Sequence, residues 1–252
     1  MRINESVAAN RYVQDIHKNQ EESKKSAEKL SSGSRINRAS DDPAGLIISE
    51  KVRSQIASLE QEFENISREY NKLSAADSNL AVIQESLSRM RDLASAAANS
   101  GGNSQETIAT YQNALVQEQK NQEQLIENSS YGNQALLDGS CRSVGKITPL
   151  SGLDVSTPEK AQEALSAIDR RIKEISEIRG KIGSTQKNDL EARQNSLSVQ
   201  ISNLTSVESE IRDVDMAGEY TRFVGKEIAL KAGIALAAQP KPDIYQAIQL
   251  LK

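Results

Sequence analysis

The feature that most constrains this chain is an apolar residue that returns every seven positions through much of its first half. The row consists of Val52, Leu59, Ile66, Leu73, Leu80 and Leu87. Seven-residue spacing keeps such side chains on one side of a helix, and it is typical of helices that pair along their length. The 252 residues include no Trp and only two Phe, so the chain lacks the large side chains that usually fill a thick core. The pattern therefore predicts long paired helices and favours assembly as the function.

Residues that start helices divide the chain into three long predicted helices. Asp41 or Asp42 can cap a helix whose first position suits Pro43. Thr157 and Pro158 give the same combination of cap and first residue later in the chain. The predicted helices cover about residues 43–99, 105–127 and 158–238.

The third predicted helix carries its own apolar row, and that row contains one irregular step. Its members are Ile168, Ile175, Ile182, Leu190, Leu197, Leu204 and Ile211. The step from Ile182 to Leu190 is eight residues instead of seven. One extra residue rotates the row around the helix, so the sequence predicts a locally unwound turn close to Gly180 and Gly183.

Residues 129–157 interrupt the helical pattern with Gly, Ser, Asp and Pro. Turn-forming residues at Tyr131-Gly132-Asn133 and Asp138-Gly139 predict a small hairpin or loop tip. Cys141, the single cysteine, is interpreted as a residue of this polar linker that has no functional role. The fold class predicted from these features is all-α: an elongated bundle of long antiparallel coiled-coil helices with a small β-hairpin or loop tip.

Composition argues against several classes of function. The net charge is −4 and basic residues are spread among acidic ones, so neither nucleic acid nor membrane is an expected partner. The first ten residues contain no apolar stretch of the length found in signal peptides, and we expect no cleaved signal peptide there. His17 is the only histidine, so the chain has no His-Glu-x-x-His pair for zinc, and we expect no Ser-His-Asp set. We expect that the protein is not an enzyme and that it has no catalytic residues, metal or cofactor.

Three blocks of sequence carry a resemblance to a known family. They are residues 29–51, reading KLSSGSRINRASDDPAGLIISEK; residues 87–99, reading LSRMRDLASAAAN; and residues 211–238, reading IRDVDMAGEYTRFVGKEIALKAGIALAA. Each block resembles the corresponding part of bacterial flagellins. The resemblance implies a structural subunit that polymerises into the helical filament of the bacterial flagellum and serves swimming motility.

The resemblance also implies a division of the chain. Residues 1–40 and 217–252 would form a terminal helical domain that lines the filament's inner tube and is disordered in the free monomer. The composition of residues 18–29, where Ala27 is the only apolar side chain, favours disorder in isolation. Residues 41–216 would form a helical rod, with residues 129–157 in place of outer domains. The filament is therefore expected to be smooth and thin.

Partners and location follow from the same resemblance. They are other copies of the chain, the flagellar export apparatus, a flagellin chaperone at the carboxyl-terminal segment, and hook-associated proteins, with secretion to the filament. Two alternatives are a hook-filament junction protein, which shares the first block, and a soluble coiled-coil adaptor that stops at a small oligomer.

The apolar rows and the resembling blocks supply candidate assembly residues. They are Leu30, Ile36, Leu46, Val52, Leu59, Ile66, Leu73, Leu80, Leu87, Leu197, Leu204, Ile211, Ile234, Ile248 and Leu251. Arg89 and Leu93 match the segment that the animal flagellin receptor contacts in this family. The acidic residue expected on the neighbouring helix aligns with Ala114, so this receptor constellation is incomplete.

Overall fold

The computed structural model describes residues 2–99, 104–139, 141 and 144–238, with side chains described for residues 10–235 of these ranges. The helices are α1 (Arg2–Ser32), α2 (Pro43–Ala98), α3 (Gln105–Glu127), α4 (Pro158–Ser184), α5 (Glu191–Arg212) and α6 (Met216–Ala238). A π-helix, Thr185–Leu190, joins α4 to α5, and two short antiparallel strands, β1 (Ser130–Tyr131) and β2 (Gln134–Ala135), form a hairpin. The predicted all-α class with a small hairpin is confirmed. In the described ranges, no helix has the length and apolar character needed to cross a bilayer.

The chain divides into two compact units. The terminal unit consists of Met1–Ser58 with Ile201–Lys252, and the central unit consists of Leu59–Gln200. Helices α2 and α5 contribute residues to both. The domain boundaries predicted at residues 40 and 217 concern assembly, and they stay predictions.

The predicted helix starts are confirmed by their caps. The Asp42 carboxylate accepts a hydrogen bond from the backbone N–H of Gly45 at 2.8 Å, and α2 begins at Pro43. Thr157 caps α4 by accepting from the N–H of Lys160. These side-chain oxygens satisfy N–H groups that the first helical turn leaves without partners.

The core of the central unit is built from the two predicted apolar rows. Helices α2 and α4 run antiparallel, since Arg91 pairs with Asp169 at 2.7 Å and Arg179 pairs with Asp77 at 2.8 Å. The two rows meet in one apolar cluster, to which α3 adds Leu115. Its fully buried row members are Leu73, Leu80, Leu87, Ile168, Ile175 and Ile182.

Residues 129–157 line this core, which the sequence pattern did not reveal. The segment runs back along α3, where Gln122 accepts from the N–H of Leu150 and Gln112 accepts from the N–H of Val155. Cys141 is 3% exposed, so the interpretation of Cys141 as a residue of a polar linker was wrong. The segment's buried apolar side chains are Leu136, Leu137, Cys141, Val144, Ile147 and Val155. Because these side chains stand among polar neighbours without a fixed spacing, no periodic pattern indicated their burial.

The irregular eight-residue step coincides with the π-helix at Thr185–Leu190. A π-turn closes its hydrogen bonds over one more residue than an α-turn, and it therefore absorbs a single inserted residue. Ile182 before the turn and Leu197 after it are both buried. The predicted local unwinding is confirmed, and its effect is to keep both halves of the apolar row facing inward.

We expect deletion of Asn188, which is exposed within the π-helix, to leave the thermal midpoint unchanged or slightly raised. The deletion restores a seven-residue step, so α4 and α5 can join as one regular α-helix. As a control, deletion of the exposed Ser78 from α2 rotates the following residues by about 100° relative to Leu73. That variant should melt much lower. Circular dichroism on heating measures both thermal midpoints. If the two deletions lower the midpoint equally, the extra residue does not belong to the π-helix.

One prediction about the helices was wrong. The third predicted helix does not continue to residue 238, because α5 ends at Arg212 and α6 starts at Met216. Residues 213 and 214 leave the helix to pair with the segment after α1: Ser34 forms an isolated antiparallel bridge with Asp213, and Val214 donates to the carbonyl of Gly33 at 3.0 Å. A pairing partner so distant along the chain leaves no mark in a local pattern.

Candidate assembly site

The segment between α1 and α2 is fixed to the end of α5 by backbone and side-chain hydrogen bonds. The N–H of Arg35 donates to the carbonyl of Arg212 at 2.6 Å. The Arg35 guanidinium donates to the carbonyl of Ile211 at 2.7 and 3.2 Å. Helix ends leave carbonyl groups without intrahelical partners, and a positive charge is favourable there. Arg35 therefore links the α1–α2 connection to the segment between α5 and α6. We call residues 33–45 together with residues 211–215 the junction.

Asp41 and Asp42 act within the junction as structural carboxylates. Asp41 accepts from the N–H groups of Arg38 at 2.9 Å and Asn37 at 3.1 Å. These two hydrogen bonds hold the pKa of Asp41 below its usual range, and the bond from Arg38 has the larger effect. Asp42 caps α2 and lies 3.6 Å from Arg35. Capping of α2 is confirmed for Asp42, whereas Asp41 accepts hydrogen bonds from the loop that precedes the helix.

Gly45 packs so closely into the junction that a side chain cannot enter. A Cβ atom at this position would lie 2.8 Å from the Ile36 side chain and would also clash with the Asp42 carboxylate. Ile36 is 1% exposed, and Asp42 is the cap of α2. The DDPAG string thus combines a cap, a first helical proline and a glycine that admits the buried isoleucine.

We expect Gly45→Ala to lower the free energy of unfolding of the terminal unit by about 1–2 kcal/mol, because it displaces a helix cap and a buried side chain. Gly183→Ala is the matched control, since nothing lies within 4 Å of the added Cβ in α4. The control should be stabilising by a few tenths to about 1 kcal/mol. Denaturant unfolding measures both changes, and a stabilising Gly45→Ala would show that the junction tolerates a side chain.

Helices α1 and α6 form an antiparallel pair with polar contacts. Residues 18–29, whose composition favours disorder in isolation, lie within α1 here. Lys226 forms an ion pair with Glu22 at 2.5 Å, and this hydrogen bond is the main cause that lowers the pKa of the Glu22 carboxyl group. Ile16 lies beside Gly233 farther along the pair, 3.1 Å from where a Cβ would stand. The pair is therefore specified by side-chain matching and not by an apolar row.

The terminal unit leaves most of its apolar side chains exposed. Among its described apolar side chains, only those of Ile36 and Val52 are buried. Its exposed large apolar residues are Tyr12, Val13, Ile47, Ile48, Val207, Met216, Tyr220, Ile228 and Ile234. Exposed apolar surface of this kind is typical of sites that bind another protein. Of these exposed residues, sequence reasoning named Ile234 but missed Ile47, Ile48 and Tyr220, which lie outside the seven-residue rows.

The candidate assembly residues fall into three classes of burial. Buried in the chain are Ile36, Val52, Ile66, Leu73, Leu80, Leu87 and Leu197; half-buried are Leu30, Leu46, Leu59, Leu204 and Ile211; exposed is Ile234. Ile248 and Leu251 lie outside the described residues. Leu73, Leu80 and Leu87 have no exposed surface and belong to the core of the single chain. The assembly role of the candidate residues stays a prediction.

Arg89 and Leu93 line a surface groove between α2 and α3, together with Ala114 and Glu118. Arg89 donates to Glu118 at 3.3 Å and pairs with Glu85 at 3.1 Å. Glu118 lies one helical turn beyond Ala114 and places an acidic group beside Arg89. Recognition of Arg89 and Leu93 by the animal receptor stays a prediction.

The described residues contain no group of three or more His, Cys, Asp or Glu side chains arranged to hold a metal ion. The features that stand out are instead the junction, the α1–α6 pair and the exposed apolar surface of the terminal unit.

Comparison with known proteins gives matches at both ends of the chain. Residues 3–142 match the family model of the bacterial flagellin N-terminal helical region, and residues 165–251 match that of the C-terminal helical region. A flagellin of Halalkalibacterium halodurans is 33% identical, with 100% of both chains covered. A flagellin of Bacillus subtilis is 30% identical, again with 100% of both chains covered. The flagellar filament 33 kDa core protein of Treponema phagedenis is 30% identical over 90% of this chain and 92% of that protein.

Proposed function

This chain belongs to the bacterial flagellin family, and we propose that residues 1–40 and 217–252 are the part that joins one copy to the next. The protein is a structural subunit of the bacterial flagellar filament. In this proposal, residues 41–216 form the rod around an inner tube made by the chain ends. Residues 129–157 take the place of outer domains, which makes the filament smooth and thin.

The exposed apolar surface of the terminal unit carries this proposal. Each large apolar side chain that leaves water on association contributes roughly 1.5–3 kcal/mol. Tyr220, Ile228 and Ile234 on α6 are all more than half exposed, and neighbouring copies in a filament can cover them. The central unit, by contrast, has buried its apolar rows within one chain.

The small number of buried apolar side chains in the terminal unit also supports coupling between folding and assembly. Ordering a helix costs about 1–2 kcal/mol per residue in backbone entropy, and α1 and α6 bury few apolar side chains to offset this. We propose that the chain ends are disordered in the free subunit and become helical as the filament grows, since contacts with other copies then supply the missing burial.

Further partners are proposed from family membership. The subunit is secreted by the flagellar export apparatus, a flagellin chaperone binds its carboxyl-terminal segment, and hook-associated proteins contact the ends of the filament. Its role is mechanical, and we propose no catalytic activity. Export before folding suits a chain whose ends would otherwise associate inside the cell.

Electron microscopy of the purified protein tests the assembly proposal. After salting-out, the chain should form long tubes of uniform diameter, and sedimentation should recover them. A coiled-coil adaptor would give only discrete particles under the same conditions. If the protein stays monomeric at every concentration and salt condition at which its relatives in the family polymerise, the proposal is wrong.

A further inference from the structure

Glu219 is a buried carboxylate in the interface between α1 and α6. Only 5% of the residue is exposed. One carboxylate oxygen accepts from the Ser26 hydroxyl of α1 at 2.6 Å, and the other accepts from Arg222 of α6 at 2.8 Å. A buried carboxylate without polar partners is strongly destabilising. Because Arg222 lies on α6 itself, the contact of the carboxylate across the interface is with Ser26, and keeping both oxygens hydrogen-bonded requires Ser26 to lie opposite Glu219.

Two neighbouring pairs impose the same requirement. Ser23 donates to the carboxylate of Glu227 at 3.0 Å, and Glu22 pairs with Lys226. Ser23 and Ser26 are both buried, so their hydroxyl groups also need partners. Three polar contacts on two successive turns of α1 thus agree on one alignment of the helices.

Sliding α1 by one helical turn removes these contacts in either direction. A shift of four residues one way places Leu30 opposite Glu219, so the carboxylate keeps Arg222 of its own helix but loses its donor on α1. The opposite shift places Glu22 there, so two negative charges meet, and Glu22 loses Lys226. Apolar rows alone allow such slips at small cost, whereas a single buried polar contact can select one register.

We propose that Glu219 is the register-setting residue of the α1–α6 pair, and that its contact with Ser26 selects the one alignment of the chain ends that assembles into a regular filament. The proposal rests on the chain ends being the assembling part. It adds a residue whose role is selection among alignments: the apolar surface supplies the drive to associate, and the buried carboxylate decides which alignment results.

Disulfide cross-linking in assembled filaments measures the alignment directly. Gly233→Cys is combined in turn with Ile16→Cys, Tyr12→Cys or Gln20→Cys. The first combination reports the alignment of the structure, since position 16 faces position 233. The other two report a slip of one turn in each direction. Cys141 remains in place because it is buried, and single-cysteine variants show any background reaction.

Glu219→Leu is introduced into each reporter. We expect the cross-link through position 16 to fall at least fivefold, and the cross-links through positions 12 or 20 to appear. Glu219→Gln keeps a hydrogen-bonding group opposite Ser26 and should retain the original pattern. Glu210→Leu makes the same chemical change at an exposed position of α5 and should change nothing.

Unchanged cross-linking through position 16 in Glu219→Leu filaments would overturn the proposal. If Glu219→Leu does not polymerise alone, each variant is mixed with an excess of the cysteine-pair-free parent. Exclusion of the leucine variant alone, with the glutamine variant incorporated and cross-linked through position 16, supports register selection. Exclusion of both variants contradicts it. Failure of the parent itself to form filaments rejects the assembly function instead, so the two failures are distinguishable.

Discussion

Replacing Leu73 with aspartate is expected to lower the free energy of unfolding by about 4 kcal/mol, because an unpaired carboxylate enters an apolar core. Leu73 has no exposed surface and belongs to the apolar cluster shared by α2, α3 and α4. For a protein of this size, the loss corresponds to a thermal midpoint roughly 10 °C lower. Circular dichroism on heating gives the midpoint, and the helical signal below it should be close to that of the parent.

Ser74→Asp is the matched control for this substitution. Ser74 is the next residue of α2 and is exposed, so the same new charge remains in water and should shift the midpoint by only a degree or two, within the usual range of surface changes. If Leu73→Asp melts like the control, the seven-residue row is not buried in solution and the description of the central unit is wrong.

Removing residues 1–40 is expected to abolish polymerisation and to leave a helical, soluble monomer. The deletion takes away α1, and with it the partner of α6, together with Arg35 and Ile36 of the junction. The central unit keeps its complete core, which begins at Leu73 and ends at Ile182. Sedimentation after salting-out should find no polymer at concentrations at which the full chain polymerises completely.

The state of the truncated chain separates loss of assembly from loss of folding. Its main thermal transition should coincide with that of the central unit in the full chain, because no core residue of that unit is removed. Filaments of normal diameter grown from the truncated protein would show that the chain ends are dispensable, and the assignment of assembly to them would be wrong.

The sequence predicted those parts of the structure whose signals are local and periodic. The start of α2 could be predicted because a cap and a proline are adjacent at Asp42 and Pro43. The core of α2 and α4 could be predicted because leucines and isoleucines recur at a fixed interval. The π-helix was visible as the single irregular step between Ile182 and Leu190.

Features that depend on distant partners were not predictable in this way. The break after Arg212 exists because residues 213 and 214 pair with residues 33 and 34, which lie near the other end of the sequence. Ser26 and Glu219 look like ordinary polar residues of exposed helical faces, and only the paired helices show that both are buried. The spacing identified the apolar rows, but it did not show which rows are buried within one chain.

The buried thiol of Cys141 has a practical consequence for work on this protein. Because the sulfur is shielded by the surrounding core, maleimide dyes should leave the native subunit unlabelled. A cysteine introduced at an exposed site then becomes the sole attachment point for a fluorophore. Growth of single fibres, and the exchange of subunits at their tips, could be watched in real time without first removing the natural sulfhydryl group.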